Sequence, residues 1–138
     1  MENKLIIIGP IGIRKKTIEL LNEEQYKTET FKITALSLKH GQCVPINGYI
    51  LEKDNKVLSY ACDTGFCDNY YKMCGKSDYM FSDVTGLKTT DMHMGLENFK
   101  ELHKEYPNCK FYAIHRADYN VEGINSVNFP NDGDILEI

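Results

Sequence analysis

The chain has 138 residues, 42% apolar and 26% charged, with no tryptophan, which suits a single domain over residues 1–138 with a modest core. Its formal charge is −4 and its basic residues are scattered, Arg14-Lys15-Lys16 being the densest run, so nucleic acid is not an expected partner. The longest apolar run, Leu5 to Ile8, is too short to span a bilayer and, behind Met1-Glu2-Asn3-Lys4, does not read as a signal peptide; a cytoplasmic protein without membrane contact is expected.

Leu5 to Ile8 is a short buried-strand signal ended by Gly9-Pro10. Ile13 to Gln25 carries Ile13, Thr17, Leu20 and Leu21 among charges, a spacing that predicts an amphipathic helix. Phe31, Ile33 and Ala35 alternate with Lys32 and Thr34, predicting a half-buried strand that continues to Leu38. Gly48 to Glu52 and Lys56 to Ala61 predict a hairpin, turning at Lys53-Asp54-Asn55. A short helix is expected over Asp68 to Cys74, ended by Gly75, and a short strand over Tyr79 to Ser82. Leu96, Phe99, Leu102, His103 and Tyr106 share one face of a predicted helix that stops before Pro107. Lys110 to Ile114 is the next strand, and the tail holds strand signals around Val127 and Ile135. The expected order is β-α-β-β-β-α-β-α-β-β-β, an α/β fold whose mixed sheet is covered by helices.

Cys43, Cys62, Cys67, Cys74 and Cys109 are odd in number and unevenly spaced, which reads as reduced thiols; no CxxC pair supports a zinc knuckle. His40, Asp63 and His115 each sit just beyond a predicted strand, where side chains from neighbouring strands can converge, and imidazole and carboxylate are ligands that zinc accepts. The competing reading makes the histidines structural polar groups and Asp63, before Thr64-Gly65, a turn residue. His103 has no motif around it, Asp91 is a candidate cap for the helix after Gly95, and Tyr70, Tyr71 and Tyr119 are candidate cleft residues. Gly48 and Gly95 read as backbone-geometry positions.

Five segments sharpen the picture by their order: Leu38-Lys39-His40-Gly41, Tyr60-Ala61-Cys62-Asp63-Thr64-Gly65, Phe81-Ser82-Asp83-Val84-Thr85, His93-Met94-Gly95-Leu96-Glu97 and Tyr112-Ala113-Ile114-His115-Arg116. In that order they resemble the C-terminal half of the metallo-β-lactamase superfamily, in particular its ribonuclease Z-like phosphodiesterase branch, from about Leu5 to the end of the chain. The resemblance implies half of an αβ/βα sandwich. It implies His40, Asp63 and His115 as metal ligands, Asp63 bridging two metals, with zinc or manganese as cofactor. It implies His93 as a catalytic histidine assisting phosphodiester cleavage and Asp83 as the carboxylate that orients it.

The family's leading motif, His-x-His-x-Asp-His, is absent, since none of the four histidines is spaced that way. A hydrolytic zinc needs about three protein ligands plus an open position. A metal-dependent, phosphodiesterase-like fragment or truncated homologue, inactive as an isolated monomer, is therefore expected. The alternative is a non-catalytic remnant acting through homodimerisation or partner binding, because a half-sandwich exposes the sheet face its other half would cover. Expected partners are a second copy or the missing N-terminal half, and small phosphodiesters are preferred to transfer RNA as substrates. A small-molecule binder using His40, His93 and His115 is a third reading.

Overall fold

The computed structural model describes residues 7–9, 17–42 and 46–137, with side chains from Leu20 onward. Among the described residues, eight strands and two helices follow in chain order: β1 (Ile7–Gly9), β2 (Thr17–Glu19), β3 (Gln25–Lys27), β4 (Lys32–Leu38), β5 (Ile46–Lys53), β6 (Lys56–Tyr60), α1 (Asp68–Lys76), β7 (Tyr79–Asp83), α2 (Leu96–Glu105) and β8 (Lys110–Ile114). β3 to β8 form one mixed sheet in sequence order. β3 to β6 are antiparallel neighbours, whereas β6, β7 and β8 run parallel. This is an α/β architecture of the kind expected for part of a metallo-β-lactamase sandwich.

Strand side chains alternate between the two faces of the sheet. Thr34, Leu36, Ile50, Ser59, Ala61, Met80, Phe111 and Ala113 are buried on the face that the helices cover. Tyr70, Met73 and Cys74 of α1 and Leu96, Phe99 and Leu102 of α2 complete that core at helical spacing. Acidic Asp68 and Glu97 in the first turns, and Lys76 and Lys104 in the last, complement the helix dipoles. Burial pushes the Cys109 thiol up to about 12 and raises that of Cys74 further still, so both behave as apolar core groups.

The hairpin turns through Asp54 and Asn55, both left-handed at φ 50° and 62°, the conformation a two-residue type I′ connection requires. α1 runs through Gly75 to Lys76 instead of ending before it. The predicted helix over Ile13 to Gln25 is corrected: Thr17–Glu19 is a strand parallel to β1, and Gln25–Lys27 pairs with β4. Thr17 and Ile18 are β-branched, and a turn with Glu23 at φ 66° intervenes. Leu20 is buried but Leu21 is 49% exposed, so the two do not share an apolar stripe. The parts of these signals at Leu5, Ile6, Pro10 and 13–16, and Cys43, lie outside the described residues.

The tail also departs from expectation. Among the described residues, a bridge between Tyr112 and Asn128 forms near Val127 in place of a strand, and Ile135 is 90% exposed and outside the strands. His103 is exposed, and Gly95, not Asp91, is the N-cap of α2. Among the described residues no helix is long and apolar enough to cross a membrane.

Phe99 is fully buried and packs edge-to-face on Phe111 at 5.5 Å, whereas Leu87 is 59% exposed. Phe99→Ala is expected to cost about 3–5 kcal/mol and Leu87→Ala less than about 0.5 kcal/mol. Denaturant unfolding of both variants checks this contrast.

Candidate functional site

The parallel strands β6, β7 and β8 end side by side, with Tyr60 paired to Phe81, Phe81 to Tyr112 and Asp83 to Ile114. Side chains just beyond those ends meet at one edge of the sheet, where α/β folds commonly bind ligands. Asp63, Asp83, His93 and His115 each bring one donor atom to this edge, all within 4.8 Å of one another.

Asp83 ends β7 with no solvent exposure. Its Oδ2 lies 2.6 Å from His93 Nδ1, and its Oδ1 accepts the Met94 N–H at 3.1 Å. One carboxylate thus fastens the loop before α2 to the sheet and aims His93. Burial raises the Asp83 pKa, while the hydrogen bonds from His93 and Met94 pull it down without cancelling the rise. Thr85 adds a longer hydroxyl contact to Asp83 Oδ2 at 3.5 Å and reaches the His115 carbonyl at 3.4 Å.

Asp63 belongs to the Asp63-Thr64-Gly65 segment, and each member has a separate job. Asp63 Oδ1 lies 2.7 Å from His115 Nδ1. The buried Thr64 hydroxyl and the Gly65 N–H both donate to the Lys39 carbonyl, at 3.0 and 2.7 Å, tying this segment to the end of β4. A Cβ at Gly65 would sit 2.6 Å from the Asp91 carbonyl oxygen, so only glycine lets the 89–93 loop approach. Gly41, left-handed at φ 57°, donates its N–H to the same carbonyl at 2.9 Å. Thr90 closes the loop by accepting the His93 N–H at 3.0 Å.

His40 follows β4 and lies outside the four-donor group, but its ring stands edge-on to His93 at 5.1 Å. Its Nδ1 is 2.9 Å from the Met92 carbonyl, which can only accept, so Nδ1 is the donor in this contact and Nε2 faces away from it. His93 and His115 have their Nδ1 atoms on carboxylates in the same way. All three imidazoles are therefore oriented through Nδ1. His93 bridges the group, with His115 at 5.9 Å on its other side.

Two of these positions hold strained backbone. Cys62 has φ 29° and His115 φ 47°, and a left-handed non-glycine residue costs on the order of 1–2 kcal/mol. These turns redirect Asp63 and His115 out of their strand lines. The Cys62 thiol donates to the Asn47 carbonyl at 3.3 Å, and burial, with the charges of Asp63 and Asp83, pushes it up to about 11. Both causes favour the neutral thiol over the thiolate. Tyr119 donates to the Val84 carbonyl at 2.7 Å, anchoring the loop after His115 against β7.

The anchors supplied by the carbonyls of Lys39, Asp91 and Met92 had no signal in the sequence, because a backbone acceptor carries no residue identity. Tyr119 was a candidate cleft residue and is placed here as a strut.

Asp83 holds a proton more tightly when folded, so its contribution to stability falls as pH rises from about 4, the unfolded carboxyl value, through its raised folded value. Asp83→Asn lacks that titration. Wild type is expected to lose stability relative to Asp83→Asn across this window in urea titrations at stepped pH; parallel profiles refute it.

Residues 7–116 match the family model described as the beta-lactamase superfamily domain. Among solved structures, the chain is similar to the metallo-beta-lactamase fold protein YhfI from Bacillus subtilis, with TM-score 0.66 and 16% identity over 83% of this chain and 52% of that one. It is similar to an isothiocyanate hydrolase from Delia radicum gut bacteria, with TM-score 0.67 and 16% identity over 87% of this chain and 59% of that one. It is also similar to a diphosphatase from the PhnP family, with TM-score 0.68 and 21% identity over 88% of this chain and 49% of that one. At these identities the likeness is one of fold, and the chain spans about half to three fifths of each structure's length. No curated protein matches. With most of its length under one family model and its sheet shared with these structures, the chain belongs to the beta-lactamase superfamily domain family.

Proposed function

We propose that this chain forms one side of a divalent-metal centre that hydrolyses small phosphodiesters, and that it is inactive as an isolated monomer. The observation that carries the reading is the set of three imidazoles, His40, His93 and His115, oriented through Nδ1 around Asp63 and Asp83. Imidazole nitrogen and carboxylate oxygen suit zinc or manganese; Asp63 and His115 belong to the group of four donors within 4.8 Å of one another, and His40 stands beside that group against His93. Asp63, His115 and His40 are the proposed ligands. When bound, the ion supplies Lewis-acid polarisation of phosphoryl oxygen and activation of water.

The remaining chemistry belongs to side chains of this chain. His93 is the proposed acid, giving the Nε2 proton to the leaving oxygen. Asp83, held in place by the Met94 N–H, keeps the ring oriented and supports its positive charge. With His93 and Asp83 committed to proton transfer, the other ligands must come from a second polypeptide or from a longer parent chain. The likeness to a diphosphatase supports phosphate esters as substrates, and the −4 charge favours small ones over RNA. Association without catalysis is the second reading, favoured by the half-exposed sheet face opposite the helices.

Metal analysis after dialysis against dilute zinc tests the ligands. Bound zinc is expected to fall in Asp63→Ala and His115→Ala. In an assembled, active form, His93→Ala is expected to retain metal while turnover of a chromogenic phosphodiester drops about 10²–10⁴-fold. Absence of bound zinc in the assembled form, or zinc content indifferent to both ligand variants, overturns the proposal.

A further inference from the structure

Val84 follows the buried Asp83 and has no solvent exposure of its own. Both of its backbone groups reach the segment that carries His115. Its N–H donates to the Ile114 carbonyl at 3.1 Å, just past the paired ends of β7 and β8. Its carbonyl accepts the Tyr119 hydroxyl at 2.7 Å. The chain from His115 to Tyr119 thus leaves the sheet at Val84 and is fastened back to it at Val84.

Between those two points the fastening is sparse. The Thr85 hydroxyl donates to the His115 carbonyl over a long 3.4 Å, and the Arg116 guanidinium lies 5.7 Å from the Phe129 ring. Among the described residues, Arg116, Ala117 and Asp118 make no hydrogen bond to the rest of the protein. The other flank of β8 is pinned by the tail, with the Ala113 N–H donating to the Asn128 carbonyl and the Asn128 N–H to the Phe111 carbonyl, each at 2.8 Å. Those bonds stop short of His115.

His115 depends on this backbone more than on packing, because its side chain is exposed. Its φ of 47° is left-handed, a conformation that a residue with a Cβ keeps where its surroundings enforce it. Leaving that conformation would swing the ring away from Asp63, whose Oδ1 lies 2.7 Å from Nδ1. Tyr119 is built to prevent this. Its ring packs against the hydrophobic core. Burial raises its pKa above the ordinary tyrosine value, and nearby Arg116 lowers it only in part, so the phenol keeps the proton that a carbonyl acceptor requires.

We propose that Tyr119 is a positioning residue for His115: its hydroxyl, bound to the Val84 carbonyl, locks the left-handed turn that sets the imidazole against Asp63. This deepens the metal-centre reading, on which the ligand role of His115 rests, while the locking itself needs no metal. It also makes Val84-Thr85 the anchor of the His115 loop, directly beside the Asp83 carboxylate that orients His93.

Long-range 1H–15N NMR of the His115 ring in the metal-free chain, recorded above the imidazole titration range, tests the lock. The wild type is expected to show one tautomer, protonated at Nδ1 against ionised Asp63. Tyr119→Phe removes the hydroxyl alone, and the two ring-nitrogen signals are expected to move toward each other as the tautomers mix. Tyr70→Phe is the matched control, since it removes a buried hydroxyl that donates to Ser82 Oγ on β7 at 2.8 Å. It is expected to lower the urea midpoint and leave the His115 signals at their wild-type positions. Zinc titration is the second arm: Tyr119→Phe is expected to raise the zinc Kd about 10–100-fold, the usual effect of losing a group that orients a metal-binding histidine. Ring signals in Tyr119→Phe that match wild type overturn the proposal. So does a wild-type ring already averaged between tautomers, or an equal change in Tyr70→Phe, which would make the effect a general loosening. Ring signals that respond in a chain that takes up no zinc would sustain the lock and strike the hydrolase reading alone.

Discussion

The site depends on one buried carboxylate. Asp83 sits at the end of a central parallel strand with no solvent contact, and both of its oxygens are engaged by the segment that leads into α2. An unpartnered buried carboxylate would cost several kcal/mol, roughly the whole margin of a small domain. The 84–95 loop is therefore not free to choose its path: it must deliver a ring N–H and a backbone N–H to Asp83. Once it does, His93 is aimed, the Met92 carbonyl reaches His40, and the Asp91 carbonyl packs on Gly41 and Gly65. A single electrostatic requirement thus organises residues from four parts of the chain.

The sheet serves two demands that pull in different directions. Its helix-covered face is a buried core rich in methionine, phenylalanine, tyrosine and small residues, and this supplies rigidity. Its other face keeps large aromatic side chains half in water, which a stable monomer gains little from. The two faces are linked at the strand ends, because the residues that leave the sheet there form both the donor cluster and the wall of the cleft beside Phe81. Strain at Cys62 and His115 is concentrated at that edge, where the core on either side can hold it.

Much of the site was legible because its residues fall in short segments with local signatures. Asp63-Thr64-Gly65 predicted a turn as readily as a ligand, and it proves to be a turn that also brings its carboxylate to His115. Asp83 was legible only as a partner for His93; its membership of the donor group follows from the parallel pairing of β7 with β8. His40 was grouped with Asp63 and His115 by its place just beyond a strand, and the family resemblance implied the same role; the structure sets its ring against His93, beside the four-donor group. Spacing along a chain does not report which of several strand ends are neighbours.

The sequence by itself determined the central hairpin, both helices and strands β4 to β8, since each carries a complete local pattern: alternation, helical spacing, or a polar turn at Asp54-Asn55. It misread Ile13 to Gln25, where a few apolar residues at helical spacing were outweighed by β-branched residues and by pairing of Gln25–Lys27 with β4. Tertiary structure alone decided the parallel order β6-β7-β8 and the orientation of the imidazoles by carbonyls and carboxylates. Each is a relation between residues far apart in sequence: ladder hydrogen bonds choose the strand neighbours, and a backbone carbonyl orients an imidazole whatever side chain it belongs to.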